Sequence, residues 1–597
     1  NANNTLGHLV KSGAGKLTLT SDQSNYNYGT ATNGENEIIA AVGNTVINGG
    51  TLSVAKDEFL GIKQKQFSEG GLTKADWDRG NLLIDGGILE TTAGFVTKRT
   101  VNIGAAGATI DVAGAANITT LKGLITGTGA IGTGDLIKEG DGTLIVSLDS
   151  TEYTVDGITI VDKYKENAYG KTIIKAGVLE VGTVEHDLAA SDVELAGGNL
   201  KINGVSTLGL LSLKGTGGAI DVSGGTVNIG IITGASTAEL KKKGSGTLVL
   251  NGTNNTYEGD TTISEGKVQI KDEKSLGANA AKLILDGGVL QVTAATNLVK
   301  DTTITTNNGT IDTTSQNVVL EGKVSGVGQL IKSGAGTLTL KNSANSGDNT
   351  FEGGVRIKEG ALEVSTDSAL GKDGGSVVID GATLAITGTG DNTLKRSITL
   401  TEKGGTVSVA AGGKATLTGE LQLDKDAISA DLTKAGAGEL ALTKDNTTGK
   451  FKGNTIIKEG TLGVTSENNL AQGKLFLDGG NLRTNADVST FSKDIILNSQ
   501  GGVDTNGHDS RVQSTIQGDG TFVKSGEGEL TLEGGNTYAG GTLIEGVGTV
   551  AAGHKASVLA VTNHANLGLN NTNITLDKEG ELKLLANLDI GAADGRA

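Results

Sequence analysis

Proline, cysteine and methionine are absent from the 597 residues, tryptophan occurs once, and aromatic residues make up only 3%. Without cysteine there is no disulfide scaffold and no thiolate metal site. So few rings exclude a large globular core centred on aromatic side chains, but not a core of many thin layers of Val, Ile, Leu, Ala and Thr. No apolar run approaches the ~18–20 residues of a membrane helix, and no charged-then-apolar leader follows Asn1. With Asn1 in place of an initiating Met, the chain reads as a piece of something longer. Basic clusters are missing too. The net charge of −17 is spread thinly, which argues against nucleic acid or an anionic membrane surface as partner.

Glycine is what the chain has in abundance, at 96 residues, and with it the apolar fraction of 36% rises to the level of an ordinary folded domain. Much of the glycine sits in a recurring stretch. LVKSGAGKLTL (9–19) returns as LIKEGDGTLIV (136–146), LKKKGSGTLVL (240–250), LIKSGAGTLTL (330–340), LTKAGAGELAL (432–442) and FVKSGEGELTL (522–532). The marker lysines, Lys11, Lys138, Lys242, Lys332, Lys434 and Lys524, lie 90 to 127 residues apart. The chain is therefore a six-fold tandem array, with repeats at approximately 9–135, 136–239, 240–329, 330–431, 432–521 and 522–597. A unit that cannot bury its own apolar face has to stack on its neighbours.

Within each repeat the pieces keep one order. The lysine stretch is followed by a loop, an aromatic with a glycine-led strand pair, an LxLDGGxL element (82–89, 283–290, 475–482) and a Gly-x-Ile/Val-Asp element (107–111, 309–312, 501–504). Short β-branched runs alternate with Gly, Asn and Asp, and no segment holds a helical period without glycine. Four strand-turn pieces of roughly 20–25 residues each predict a parallel β-helix of about 25 rungs, nearly without helix, in which Gly, Asn and Asp turn the corners and like aliphatics stack at ~4.8 Å. A propeller blade would carry a signature of its own, which is missing.

The text also resembles the passenger-associated transport repeat of bacterial autotransporter adhesins. The last copy carries the resemblance through Lys524, Gly526, Gly528, Leu530, Leu532 and GGNTYAGGTLIEG (534–546), and the copy at 240–268 through Tyr257, Gly259, Thr262, Ile263 and Gly266. The resemblance implies an all-β, right-handed parallel β-helical passenger, exported through the periplasm and outer membrane to the bacterial cell surface. Its outer-membrane barrel would lie C-terminal to this chain. The implied function is an adhesin or self-association passenger. The implied partners are a host-cell surface protein or glycan, or the same passenger on a neighbouring cell.

Catalytic signals are missing. His8, His186, His508, His554 and His564 are scattered without HExxH spacing, and there is no GxSxG, P-loop or GGxGxDxUx calcium motif. The DGG aspartates Asp85, Asp286 and Asp478 read as turn formers, and NGTNNT (251–256) is only a weak modification signal. No catalytic, cofactor-binding or metal residue is assigned. A secreted effector or toxin, or a polysaccharide-active enzyme on the same scaffold, remains the alternative; a structural fibre would need a more regular TxT.

Two further expectations follow. Leu136, Lys138, Gly140, Gly142, Leu144 and Val146 share one parity, so an unbroken strand would bury the lysine, at great cost for an isolated ammonium. Gly140–Gly142 are therefore expected to form a corner that resets the phase and leaves Lys138 at the surface, solvated or paired with an acidic residue of the next rung. The excursions 20–43, 57–80 and 147–168 interrupt the early repeats and hold rare aromatics; 20–43 and 147–168 come from equivalent places in the repeat and are expected to project from one edge. Trp77, Phe67, Tyr153 and Tyr164 are the candidate contact residues, against a bland reading in which Phe59, Phe67 and Trp77 pack among themselves.

Overall fold

A computed structural model describes residues 9–20, 31–33, 37–39, 44–60, 81–127, 133–148, 152–155, 158–161, 167–188, 192–234, 237–278, 280–341, 348–446, 451–548, 554–569 and 572–586. The chain divides into two compact units, 1–291 and 292–597. Each is a coil of short parallel strands separated by glycine corners. The coil comprises about 21 turns rather than the expected 25, because dividing total length by rung length counts residues that lie between turns as coil. Among the described residues, helix is confined to one four-residue turn, Val184–Asp187, and short 3-10 turns such as Asp57–Leu60 and Asp367–Leu370.

The strand text explains the core. In Thr337–Leu340 alternate residues are buried, and Leu338 stacks in register between Val318 of the preceding turn and Leu362 of the following one. The column continues through Leu384 and Val407. Each inward aliphatic thus meets its like above and below, and no large side chain is needed to fill a layer one strand thick.

A copy of the repeat is longer than a whole number of turns by one strand. In the first unit Lys11 lies on the ladder of Thr45–Ile47, Leu82–Ile84 and Val101–Ile103. Lys138 lies on that of Ala108–Val112 and Thr172–Ile174, and Lys242 on that of Gly217–Val222 and Thr261–Ile263. The second unit repeats the pattern. Lys332 pairs along Gly309–Asp312 and Val355–Ile357, Lys434 along Gly405–Val409 and Thr455–Ile457, and Lys524 along Gly501–Asp504 and Thr542–Glu545. Within each unit the marker therefore advances by one face per copy.

Candidate functional site

The marker lysines are inside. Lys138, Lys242, Lys332, Lys434 and Lys524 have no exposed surface, and Lys11 is 6% exposed. The expectation of a surface lysine is corrected: the strand keeps its phase, and Lys434 occupies an aliphatic column between Val407 and Ile457. The reason lies in the corner that follows. Gly436 turns with φ 73° and leaves carbonyls converging on the end of the lysine stem. Lys434 Nζ donates to the carbonyls of Ala435 at 2.8 Å, Gly436 at 2.6 Å and, from the next turn, Glu459 at 3.0 Å. Lys332 does the same with Ser333, Gly334 and Glu359. An ammonium has three donors, and here each is used. Burial nonetheless holds Lys138, Lys242, Lys332 and Lys434 down to about 8 and Lys524 to about 7.

A second set of residues escaped the sequence reading. Asn167, Asn255, Asn349, Asn446 and Asn536 are buried in the stretch between the lysine motif and the aromatic. Asn255 Oδ1 accepts from the Ile232 amide of the preceding turn at 2.8 Å, and its Nδ2 donates to the Ser275 carbonyl of the following turn at 2.7 Å. Asn349 joins Val324 and Ala369 in the same way, both at 2.8 Å. The Asn-x-aromatic text in four of the copies was the available signal. The aromatics that follow, Tyr169, Tyr257, Phe351, Phe451 and Tyr538, are core plugs, with Tyr257 Oη and Thr261 Oγ1 2.6 Å apart.

Of the predicted contact residues, Phe67, Trp77 and Tyr164 lie outside the described residues. Tyr153 lies on Glu152–Val155, which pairs antiparallel with Ile158–Val161, as Ala31–Asn33 in the first excursion does with Glu37–Ile39. Asp57–Leu60, at the start of the second excursion, form a 3-10 turn with Asp57, Phe59 and Leu60 buried, and Arg99 Nε contacts Asp57 Oδ1 at 2.9 Å. The single edge is corrected. The chain departs after Lys16–Leu19 and after Thr51–Val54, which share a face, whereas 147–168 follows Thr143–Val146 on the next face. The extra strand per copy moves equivalent positions round the coil.

A number of ionisable side chains on the outer faces are tied from turn to turn. Arg483 reaches Glu439 at 2.6 Å and Asp504 at 2.8 Å. His508 lies 3.2 Å from Asp487, and His554 2.7 Å from Glu527. Glu90, Asp111 and Glu139 stack in register, with Lys16 on Glu90 and Lys175 on Glu139. Burial, and then the two neighbouring carboxylates, push the Asp111 carboxyl up. No group of three or more His, Asp or Glu among the described residues could hold a metal ion.

Comparison with known proteins agrees with this architecture. The passenger-associated-transport-repeat family matches residues 9–32, 240–270, 330–364, 432–464 and 522–552. The adhesin BmaC autotransporter of Brucella suis biovar 1 (strain 1330) is 28% identical over 600 residues, covering 94% of this chain and 15% of that protein. The probable autotransporter YfaL of Escherichia coli (strain K12) is 26% identical over 477 residues, covering 68% of this chain and 36% of that protein. The chain thus spans well under half the length of either relative. The five matched stretches, each opening on a buried marker lysine and its glycine corner, are passenger-associated transport repeats, and along most of its length the chain is similar to autotransporter proteins, a likeness that implies export across the outer membrane to the bacterial cell surface.

Proposed function

We propose that this segment is a non-catalytic adhesive passenger, binding a host-cell surface protein or glycan, or the same passenger on a neighbouring cell. The observation that carries this is the state of its ionisable groups. Arg483 is held between Glu439 and Asp504, His508 and His554 meet Asp487 and Glu527 of neighbouring turns, and the buried lysines are consumed by corner carbonyls. That leaves the excursions and the flat strand faces as contact surface, and binding residues concentrate on segments carried by a rigid scaffold. The relative named as an adhesin, matched along 94% of this chain, supports the same reading.

The test is display of the chain on a non-adherent, non-aggregating bacterium. Adhesion to host cells, settling of the culture and release of sugar from polysaccharides are measured together. Adhesion or settling above the empty-vector control, without sugar release, is the expected result. Polysaccharide turnover without adhesion would overturn it in favour of an enzyme.

A further inference from the structure

We propose that an open depression on the second unit is a binding site for a neutral saccharide. It deepens the adhesive reading above and rests on it. The depression has a volume of about 330 Å³ and is lined by Gly479, Asn481, Ser499, Gln500, Val523 and Glu545. That lies at the lower end of the range of about 300–1,000 Å³ common to small-molecule sites.

Its lining follows one outward column in which glycine takes the middle place. Asn481, Gly502 and Val523 are consecutive in one outward column. A Cβ at Gly502 would fall 1.8 Å from the Val523 carbonyl oxygen, so no residue but glycine fits there. The lining comes from four successive turns, with Gly479 and Asn481 on the first, Ser499 and Gln500 on the second, Val523 on the third and Glu545 on the fourth.

The polar groups around that hollow are unoccupied. The side chains of Asn481, Ser499, Gln500 and Glu545 make no hydrogen bond within the described protein, whereas others on the same unit do. Asn454 Oδ1 accepts from the Lys474 amide at 3.0 Å, and Arg483 is held by two carboxylates. Two amides, a hydroxyl and a carboxylate supply both donors and acceptors, and the largely buried Val523 adds a small apolar patch. Vicinal hydroxyls on a sugar ring present the matching mixture. Glu545 excludes an acidic sugar, since nothing cationic lines the hollow to offset it. With no aromatic platform, each contact is weak, and adhesion through it depends on many copies on one cell acting together.

The experiment is saturation-transfer difference NMR on the full chain. The probes are galactose, lactose, N-acetylglucosamine and N-acetylgalactosamine, with sialyllactose as the acidic control. Saturation transfer to at least one neutral sugar is expected, and none to the sialic acid ring. Asn481→Ala and Glu545→Gln should each weaken the signal several-fold with an unchanged circular dichroism spectrum. Adhesion of displayed chains to host cells is measured alongside. If cells adhere but no neutral sugar binds, or the two variants bind as well as the parent, the site is refuted and the adhesive reading stands. If the chain neither adheres nor aggregates, the adhesive reading itself has failed.

Discussion

A lysine in an aliphatic column is stable only because its corner is built around it. The stem replaces a Val or Ile, and the ammonium satisfies carbonyls that a left-handed glycine turn would otherwise leave converging on nothing. Replacing Lys434 by Met keeps the stem and removes the donors. Three partly buried carbonyls then lose their partner, and we expect a loss of about 1–3 kcal/mol, read from urea unfolding. The pH dependence has a defined sign. Burial lowers Lys434 from 10.5 to about 8, so above about pH 8 the unfolded chain holds a proton that the folded chain has released, and stability rises with pH. Below about pH 8 both states are protonated and the effect is flat. Buried Tyr257 acts in the opposite sense, but only near pH 10, where unfolded tyrosine ionises. Unfolding midpoints should therefore rise between pH 7.5 and 9.5, and the Lys434→Met variant should rise less.

At the scale of the strand, each turn has only two neighbours that matter. Leu338→Asp would place a carboxylate between Val318 and Leu362, where no partner is available. Because energies in a solenoid add between adjacent turns, the damage should stay near the insertion. Hydrogen exchange should accelerate from about residue 318 to 362 and stay at parent rates in Phe522–Ser525. The buried asparagines bind turns in the same local way. Asn349→Ala removes one acceptor and one donor and orphans the Val324 amide and the Ala369 carbonyl, at a cost of about 1–3 kcal/mol. Strands and corners were legible in the sequence because alternation and glycine are local signals. The direction of the lysine was not, since an inward ammonium looks prohibitive until the carbonyls of Ala435, Gly436 and Glu459 are seen to meet it. The advance of one face per copy was hidden as well. Asn-aromatic stretches and 3-10 turns such as Asp367–Leu370 take the place of strands without looking like them.

For the whole chain, the question is where a regular coil carries something irregular enough to be recognised. The excursions were plain in the sequence because they break a tight repeat. The hollow beside Gly502 was not, because its lining comes from turns that are far apart in sequence. The second excursion offers the sharpest separation of scaffold from contact. Its first residues, Asp57–Leu60, belong to the coil: Asp57 pairs with buried Arg99, and the Leu60 carbonyl accepts from Thr45 Oγ1 at 2.9 Å. Removing 57–80 entirely would therefore strip a buried arginine of its partner and confuse unfolding with lost binding. Replacing only 61–80, the part that holds Phe67 and Trp77, with a short Gly-Ser linker leaves these contacts in place. The β-sheet circular dichroism should be unchanged, while adhesion or aggregation of displayed cells should fall several-fold. If adhesion persists after 61–80 is replaced and 21–43 and 149–166 are also shortened, Phe67, Trp77, Tyr153 and Tyr164 are not its anchors, and contact belongs to the outward columns of the coil.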